Sequence, residues 1–249
     1  MNFSGISTSG ILGRLLRFPL RLIPDSSVVR ILQGPLKGKR WIAGSGTHGS
    51  WLGSYEFDKQ QAFASTVLAG DVVYDVGAHV GFYTLLAAEL VGPTGQVIAF
   101  EPLPRNLKFI KQHVALNNYT NVTVFGSAVS DHSGTAAFDM QPGRSFEGHL
   151  VEDGQLHVPV VVLDELTGGE MPPPRVIKMD IEGAEYAALM GASKLLATHH
   201  PIVFLATHGP QVHRLCCDFL TGLGYALQPL DGGTIEDSDE LIARWGSPS

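Results

Sequence analysis

The feature that most constrains this chain is an alternation that runs from about residue 72 to residue 230. Apolar runs at Val72–Val76, Gln96–Phe100, Val122–Ser127, Val176–Asp180, Ile202–Ala206 and Ala226–Leu230 are separated by longer stretches, several of them with helical periodicity. Phe82–Leu90, Pro104–Asn117, a segment from about Ala184 and Gln211–Leu223 read as helices. In the second of these, Leu103, Leu107, Ile110 and Val114 form one apolar stripe, and Pro104 stands where a first helical turn tolerates it. Short apolar strands alternating with amphipathic helices imply a mainly parallel sheet covered on both faces, the doubly wound α/β class. With 249 residues, 44% of them hydrophobic, one such domain fills a single core.

The flanks read differently. Residues 1–50 form an extension, 51–240 the domain and 241–249 a frayed tail. In the extension, Ile11–Ile23 interleaves leucines and Phe18 with Arg14, Arg17 and Arg21, the pattern of a basic amphipathic helix. Such a helix either lies peripherally on an anionic membrane or covers the domain's own apolar surface. Gln33–Gly53 is glycine-rich with Trp41 and Trp51, a loop or short hairpin, and Glu56–Leu68 reads as a helix. Between Ser130 and Pro174 the pattern loosens around one strand-like run, Val158–Leu163. Loops over a rigid sheet commonly carry specificity, so Arg144, Phe146, His149 and His157 become candidates for a substrate pocket. No apolar run is long enough to span a bilayer. A net charge of −7 weighs against nucleic acid as the main partner. Cys216 and Cys217 are neighbours within a helix and suit neither a long-range staple nor zinc, so a reducing, cytoplasmic setting fits.

Ligands of such sheets bind beyond the carboxyl ends of the strands, where strand order reverses. The segment from Asp75 through Gly77, Ala78, His79, Gly81 and Phe82 supplies a strand end, a tight turn and a helix start. A side chain at Gly77 would be expected to obstruct an approaching ligand. Glu101 ends the next strand, 26 residues beyond Asp75, where a carboxylate can accept hydrogen bonds from both hydroxyls of a ribose. A dinucleotide would want glycines in a G-x-G-x-x-G pattern, but His79 and Phe82 occupy the second and third places. A nucleoside bearing a sulfonium, which needs no pyrophosphate cradle, suits the turn better.

Taken together, these residues resemble the FkbM-type methyltransferases. The resemblance covers roughly Trp51 to Leu230. It is carried by Gly53-Ser54-Tyr55-Glu56, the Asp75–Gly81 turn, Phe100-Glu101-Pro102 with Asn106 and Asn117-Asn118, Ser127–Ser130, and above all Ile177–Glu185. It implies a Rossmann-like fold of seven strands with the last antiparallel, S-adenosylmethionine as cofactor, and O-methylation of a sugar or other small-molecule acceptor. By the same resemblance Asp75, Gly77 and Gly81 form the donor's turn, and Glu101, with Pro102 and Asn106 beside it, holds the ribose. Ser127 and Ala128 border the adenine, and Glu56 reaches the methionine end. Many relatives carry a glutamate two residues before the histidine that follows the fifth strand, and here that place holds Ala206.

Methyl transfer needs alignment and, for an alcohol, a base within hydrogen-bond reach. Asp180, at the end of the fourth strand, faces the same crevice, counts among the expected donor-binding residues and is also the first candidate for the base, with Lys178 on the same strand face. His208 is the second, its ordinary pKa being near neutral. Glu182 and Glu185 stand near a helix start, where carboxylates are favoured on electrostatic grounds alone. A divalent metal on Asp180 and a neighbouring acid stays open, because hard cations take oxygen ligands. Transfer to nitrogen or to a protein side chain, a nicotinamide-dependent dehydrogenase and a nucleoside-binding module without catalysis also stay open.

Overall fold

The computed structural model describes residues 22–139, 149–151, 156–167, 169 and 171–246. Most of the basic segment at 11–23 and the loop residues Arg144 and Phe146 lie outside them. The described chain opens with strands β1 (Val28–Arg30) and β2 (Arg40–Ile42), an antiparallel hairpin, followed by helices α1 (His48–Leu52) and α2 (Phe57–Thr66). Then come β3 (Val72–Val76), α3 (Phe82–Val91), β4 (Gln96–Phe100), α4 (Pro104–Leu116) and β5 (Val122–Phe125). A second group follows: β6 (Ala128–Val129), β7 (Gly134–Asp139), β8 (His149–Val151), β9 (Leu156–Val161) and α5 (Leu163–Thr167). The chain finishes with β10 (Val176–Met179), α6 (Glu185–Met190), α7 (Ser193–His199), β11 (Ile202–Ala206), α8 (Pro210–Gly222), β12 (Tyr225–Pro229) and β13 (Glu240–Trp245).

Seven of these strands form one sheet in the order β12-β13-β11-β10-β3-β4-β5. All neighbours from β11 to β5 pair in parallel, and β13 alone runs antiparallel to both of its neighbours. Alternate residues of each strand feed two cores. Val73, Val97 and Val176 pack on one face with Phe63, Leu85 and Phe204, while Tyr74, Ile98 and Ile177 pack on the other with Leu189, Leu196 and Leu220. Burial on both faces explains why these strands read as unbroken apolar runs. Strand order reverses between β3 and β10, which opens a crevice at their carboxyl ends.

Four expectations change. Residues 241–245, read as tail, are in β13, with Leu241, Ile242 and Ala243 buried. A strand slotted between two others is a single antiparallel insertion with no helix after it, so the alternating pattern gave it no signal. The expected strand Val122–Ser127 stops at Phe125. Gly126 packs against Leu107, and Ala128 then joins a different, four-stranded sheet ordered β6-β9-β7-β8. That sheet occupies part of the region read as loose. The helix after residue 184 is broken at Gly191, where an added Cβ would sit 2.1 Å from the Ser130 carbonyl.

The hairpin is fixed to the main sheet through His113. Its Nδ1–H donates to the Val80 carbonyl at 2.9 Å and its Nε2 accepts the Ile42 N–H at 3.1 Å, while Trp41 stacks on the ring. Burial pulls this imidazole down to about 4, so it stays neutral and keeps both bonds at physiological pH. Replacing Leu241, fully buried in β13, by alanine is expected to cost about 3 kcal/mol, from lost burial plus the cavity left behind. The midpoint of urea unfolding would read this; a change under about 0.5 kcal/mol would mean β13 contributes little to the core.

Candidate active site

The crevice at the strand ends holds a cleft of about 330 Å³. Its floor is the β3–α3 turn. Gly77 has φ +78° and no room for a side chain, since a Cβ there would lie 1.9 Å from the Asp180 carbonyl. The glycine is therefore required by the neighbouring β10 turn, and not by the space of an incoming ligand as the sequence suggested. Gly81, φ +92°, lets α3 start against Ile110 of α4, which a Cβ would meet at 3.2 Å.

Of the residues singled out from sequence, Gly77, Ala78, His79, Phe82, Glu101, Pro102, Asn106, Ser127, Ala128, Lys178 and Asp180 line this cleft. Asp75, Gly81, Glu56 and His208 are not on its wall. Glu56 stands behind Tyr83, whose hydroxyl donates to it at 3.0 Å, and Tyr55 and Tyr83 face the cleft instead. The N-terminal segment also contributes wall: Gly46, Thr47 and Ser50 line it.

Glu101 is held from three sides. One carboxylate oxygen accepts the His79 N–H at 2.8 Å; the other accepts the Leu103 N–H at 2.9 Å and the Asn106 side-chain amide at 3.3 Å. The residue is only 4% exposed, and burial pushes its carboxyl up to about 7 against those three hydrogen bonds. The nearby Ser127 hydroxyl is buried, lines the cleft and has no hydrogen-bond partner among the described residues.

Lys178 forms the polar centre on the other side. It is directly opposite Asp75 in the β3–β10 pairing, so both side chains project from the same face. Its buried ammonium donates to the Gly77 carbonyl at 2.8 Å and lies 3.6 Å from both the Asp75 and Asp180 carboxylates. Burial works against its charge, but Asp180 and Asp75 outweigh that and hold it protonated. Asp75 also accepts the Thr84 hydroxyl at 2.6 Å, so it braces α3 without capping it. Burial likewise opposes ionisation of Asp180, yet Lys178, with Lys59, His208 and His79, holds its carboxyl below the usual range.

His208 sits beside this centre. Its Nδ1 is 2.8 Å from an oxygen of the fully buried Glu185, and its Nε2 is 3.6 Å from Glu182 and 3.8 Å from Asp180. The bond to Glu185, with the charges of Glu182 and Asp180, overcomes partial burial and lifts the imidazole to about 9. As arranged here it is a cation at neutral pH, whereas a general base would have to be neutral. Glu185 also accepts the Ile181 and Gly183 N–H groups of the turn before α6, so it ties that turn to His208 and caps none of the helix's own N–H groups.

Sequence reading missed a second cluster. Lys59, 5% exposed, bonds Glu240 at 2.7 Å and lies 3.4 Å from Glu56. Glu240 is the ladder partner of Ala206, so a carboxylate comes from β13 beside the position where the family resemblance led one to expect it on β11. The only signal available was the spacing of Glu56 and Lys59, three apart on a helix.

A seven-stranded sheet of this order, with its cleft at the β3–β10 switch point, is the Rossmann-like architecture of class I methyltransferases. The methyltransferase FkbM domain matches residues 75–227, more than half of the chain, and the chain belongs to that family. It is similar to a hexuronic acid methyltransferase of Haloferax volcanii, 30% identical over 128 residues, covering 51% of this chain and 52% of that protein. It is also similar to a protein-L-isoaspartate O-methyltransferase of Ignicoccus hospitalis, 30% identical over 112 residues, covering 45% and 50%. The matches thus span about half the length of these curated relatives. Among solved structures, the FkbM methyltransferase of Methylobacillus flagellatus has the same fold, with a TM-score of 0.52 and 17% identity over 80% of this chain and 56% of that one.

The cofactor of this family is S-adenosylmethionine, and the cleft fits it. Glu101 retains acceptor capacity after its three bonds, and the Ser127 hydroxyl stands ready on the same wall. The raised carboxyl of Glu101 has a measurable consequence. Between pH 4.5 and 7 the folded chain keeps a proton there that the unfolded chain releases, so stability falls as pH rises through that window. Relative to Glu101→Gln, the wild type is expected to lose about 3 kcal/mol between pH 4 and pH 8 in urea unfolding. Parallel pH profiles for the two proteins would show that Glu101 ionises normally.

Proposed function

We propose that this chain is an S-adenosylmethionine-dependent O-methyltransferase acting on a hydroxyl of a sugar or similar small molecule. One observation carries the reading: a buried carboxylate, Glu101, and a glycine turn meet at the switch point of a class I sheet, with the ionised Asp180 on the other side of the same cleft. The sugar acceptor is favoured by the likeness to the Haloferax volcanii enzyme. Likeness to the Ignicoccus hospitalis enzyme supports a second reading, a carboxylate on a protein, which mass spectrometry of methylated products would separate.

The donor supplies a methyl group on a positively charged sulfur, so that as the new carbon–oxygen bond forms the carbon–sulfur bond breaks and sulfur takes the electron pair. Glu101 accepts the ribose hydroxyls. The turn from Gly77 to Phe82 supports the methionine portion, and Ser127 and Ala128 flank the adenine. Asp180 takes the acceptor's hydroxyl proton through an oxygen exposed to the cleft. Lys178 acts as a positioning residue: it draws Asp180 and the Gly77 carbonyl together and fixes one relative to the other. Much of the acceleration then comes from alignment, on the order of 7 to 11 kcal/mol in favourable cases.

Calorimetric titration with S-adenosylmethionine tests the donor. Micromolar binding is expected, weakened at least about tenfold in Glu101→Ala, which removes a carboxylate hydrogen-bonded to the ribose. No binding by a folded wild-type chain would sink the reading. For the wild type, affinity is expected to fall as pH drops below about 7, because protonation removes acceptor capacity from Glu101. Asp180→Asn is expected to keep donor binding while turnover falls on the order of 10² to 10⁴. Unchanged turnover would remove Asp180 from proton transfer.

A further inference from the structure

Beside Lys178 lies a cluster outside the donor contacts proposed above. Asp180, Glu182 and His208 each offer one ligating atom, and the three atoms all lie within 4.8 Å of one another. Asp180 and Glu182 line the cleft, and His208 is accessible next to them with its side chain 37% exposed. The three come from different places: Asp180 and Glu182 from the turn after β10, His208 from the turn after β11. The sheet therefore sets their separation, and no single flexible loop does.

The second observation concerns what stands behind the histidine. Glu185 is fully buried, and one of its oxygens holds Nδ1 of His208 at 2.8 Å. That contact turns Nε2 outward toward Glu182 and Asp180. A carboxylate fixing one ring nitrogen so that the other faces a cation is the usual way proteins orient a metal-binding imidazole. The second oxygen of Glu185 is buried with no hydrogen-bond partner among the described residues.

We propose that Asp180, Glu182 and His208 bind a divalent cation at the acceptor end of the cleft. The ion would hold an acceptor that presents two neighbouring oxygens, such as a vicinal diol or a hydroxy acid. Two carboxylates and one imidazole suit Mn²⁺, with Mg²⁺ weaker because it tolerates nitrogen less well. Ligating atoms around such an ion stand about 3 Å apart, so the side chains close on it by under about an ångström. Positions left open on the ion face the cleft, where coordination of the acceptor hydroxyl would favour transfer of its proton to the Asp180 oxygen that does not hold the ion. Binding through Nε2 replaces any proton there, so that one proton leaves as the ion enters. The role in acceptor binding rests on the methyltransferase reading; the ion site itself rests on the cluster.

The test is a Mn²⁺ titration of the full chain, read by the paramagnetic resonance signal of the free ion, beside calorimetry with S-adenosylmethionine on the same samples. One bound ion per chain is expected. His208→Ala and Glu182→Gln should each weaken it at least about tenfold, and Glu185→Gln by a factor of about 10 to 100 through misorientation of the imidazole. Retained donor binding by the variants would show that they are folded. No bound Mn²⁺ in a wild-type chain that binds the donor would overturn the site and leave the methyltransferase reading intact. So would Mn²⁺ affinity that is unchanged in both His208→Ala and Glu182→Gln. Variant-sensitive Mn²⁺ binding in a chain that ignores the donor would support the site and overturn the methyltransferase reading.

Discussion

The geometry of the cleft depends on one buried ammonium. Lys178 and Asp75 are ladder partners at the seam where the sheet reverses direction, and the same cation reaches the Gly77 carbonyl and Asp180. Each of these groups alone would be costly to bury, and together they compensate one another. Backbone hydrogen bonds hold β3 and β10 side by side as far as Asp180, whose N–H donates to the Val76 carbonyl at 3.1 Å. The lysine adds the side-chain tie between the two exits, joining Asp75, the Gly77 carbonyl and Asp180. A hydrophobic substitute could pack well enough, but it would not distinguish one arrangement of the two turns from another. Its effect is on which arrangement forms more than on stability, since exchanging a buried ion pair for well-packed apolar residues is often neutral.

Where the sequence was readable, the reason was periodicity. The central strands and the long helices follow from runs such as Val72–Val76 and the Leu107–Ile110–Val114 stripe, because the burial that shapes them is local in sequence. The floor of the cleft was legible for the same reason: Gly77, Glu101 and Asp180 each end a strand that could be found. What failed were features that depend on partners far along the chain. β13 is defined by its neighbours β11 and β12 and has no crossover helix to announce it. The Lys59–Glu240 pair joins residues 181 apart. The protonation of His208 was also hidden, because its near-neutral ordinary pKa says nothing of the three carboxylates that the fold gathers around it.

Those carboxylates reveal a division within the site. On the Glu101 side, a single acid is surrounded by hydrogen-bond donors from backbone and amide, a neutral setting in which burial dominates. On the Asp180 side, acids and bases are interleaved: Lys59, Lys178 and His208 against Glu56, Asp75, Asp180, Glu182 and Glu240. The first setting suits a ligand that brings hydroxyls; the second suits chemistry in which charge moves. One sheet carries both because the switch point sends β4 to one side and β10 to the other.

The His113 bridge has a practical consequence for how the chain can be divided. The family match begins at residue 75, yet the hairpin pinned by His113 to the Val80 carbonyl carries the chain on to Gly46, Thr47 and Ser50 in the cleft wall. At the other end the match stops at residue 227, before the strand that separates β11 from β12. A fragment trimmed to the matched residues would keep every motif and still lack part of its wall and the middle of one sheet edge. The unit that folds is therefore wider than the unit that similarity recognises. Chimaeras between relatives should be joined outside the hairpin and beyond β13.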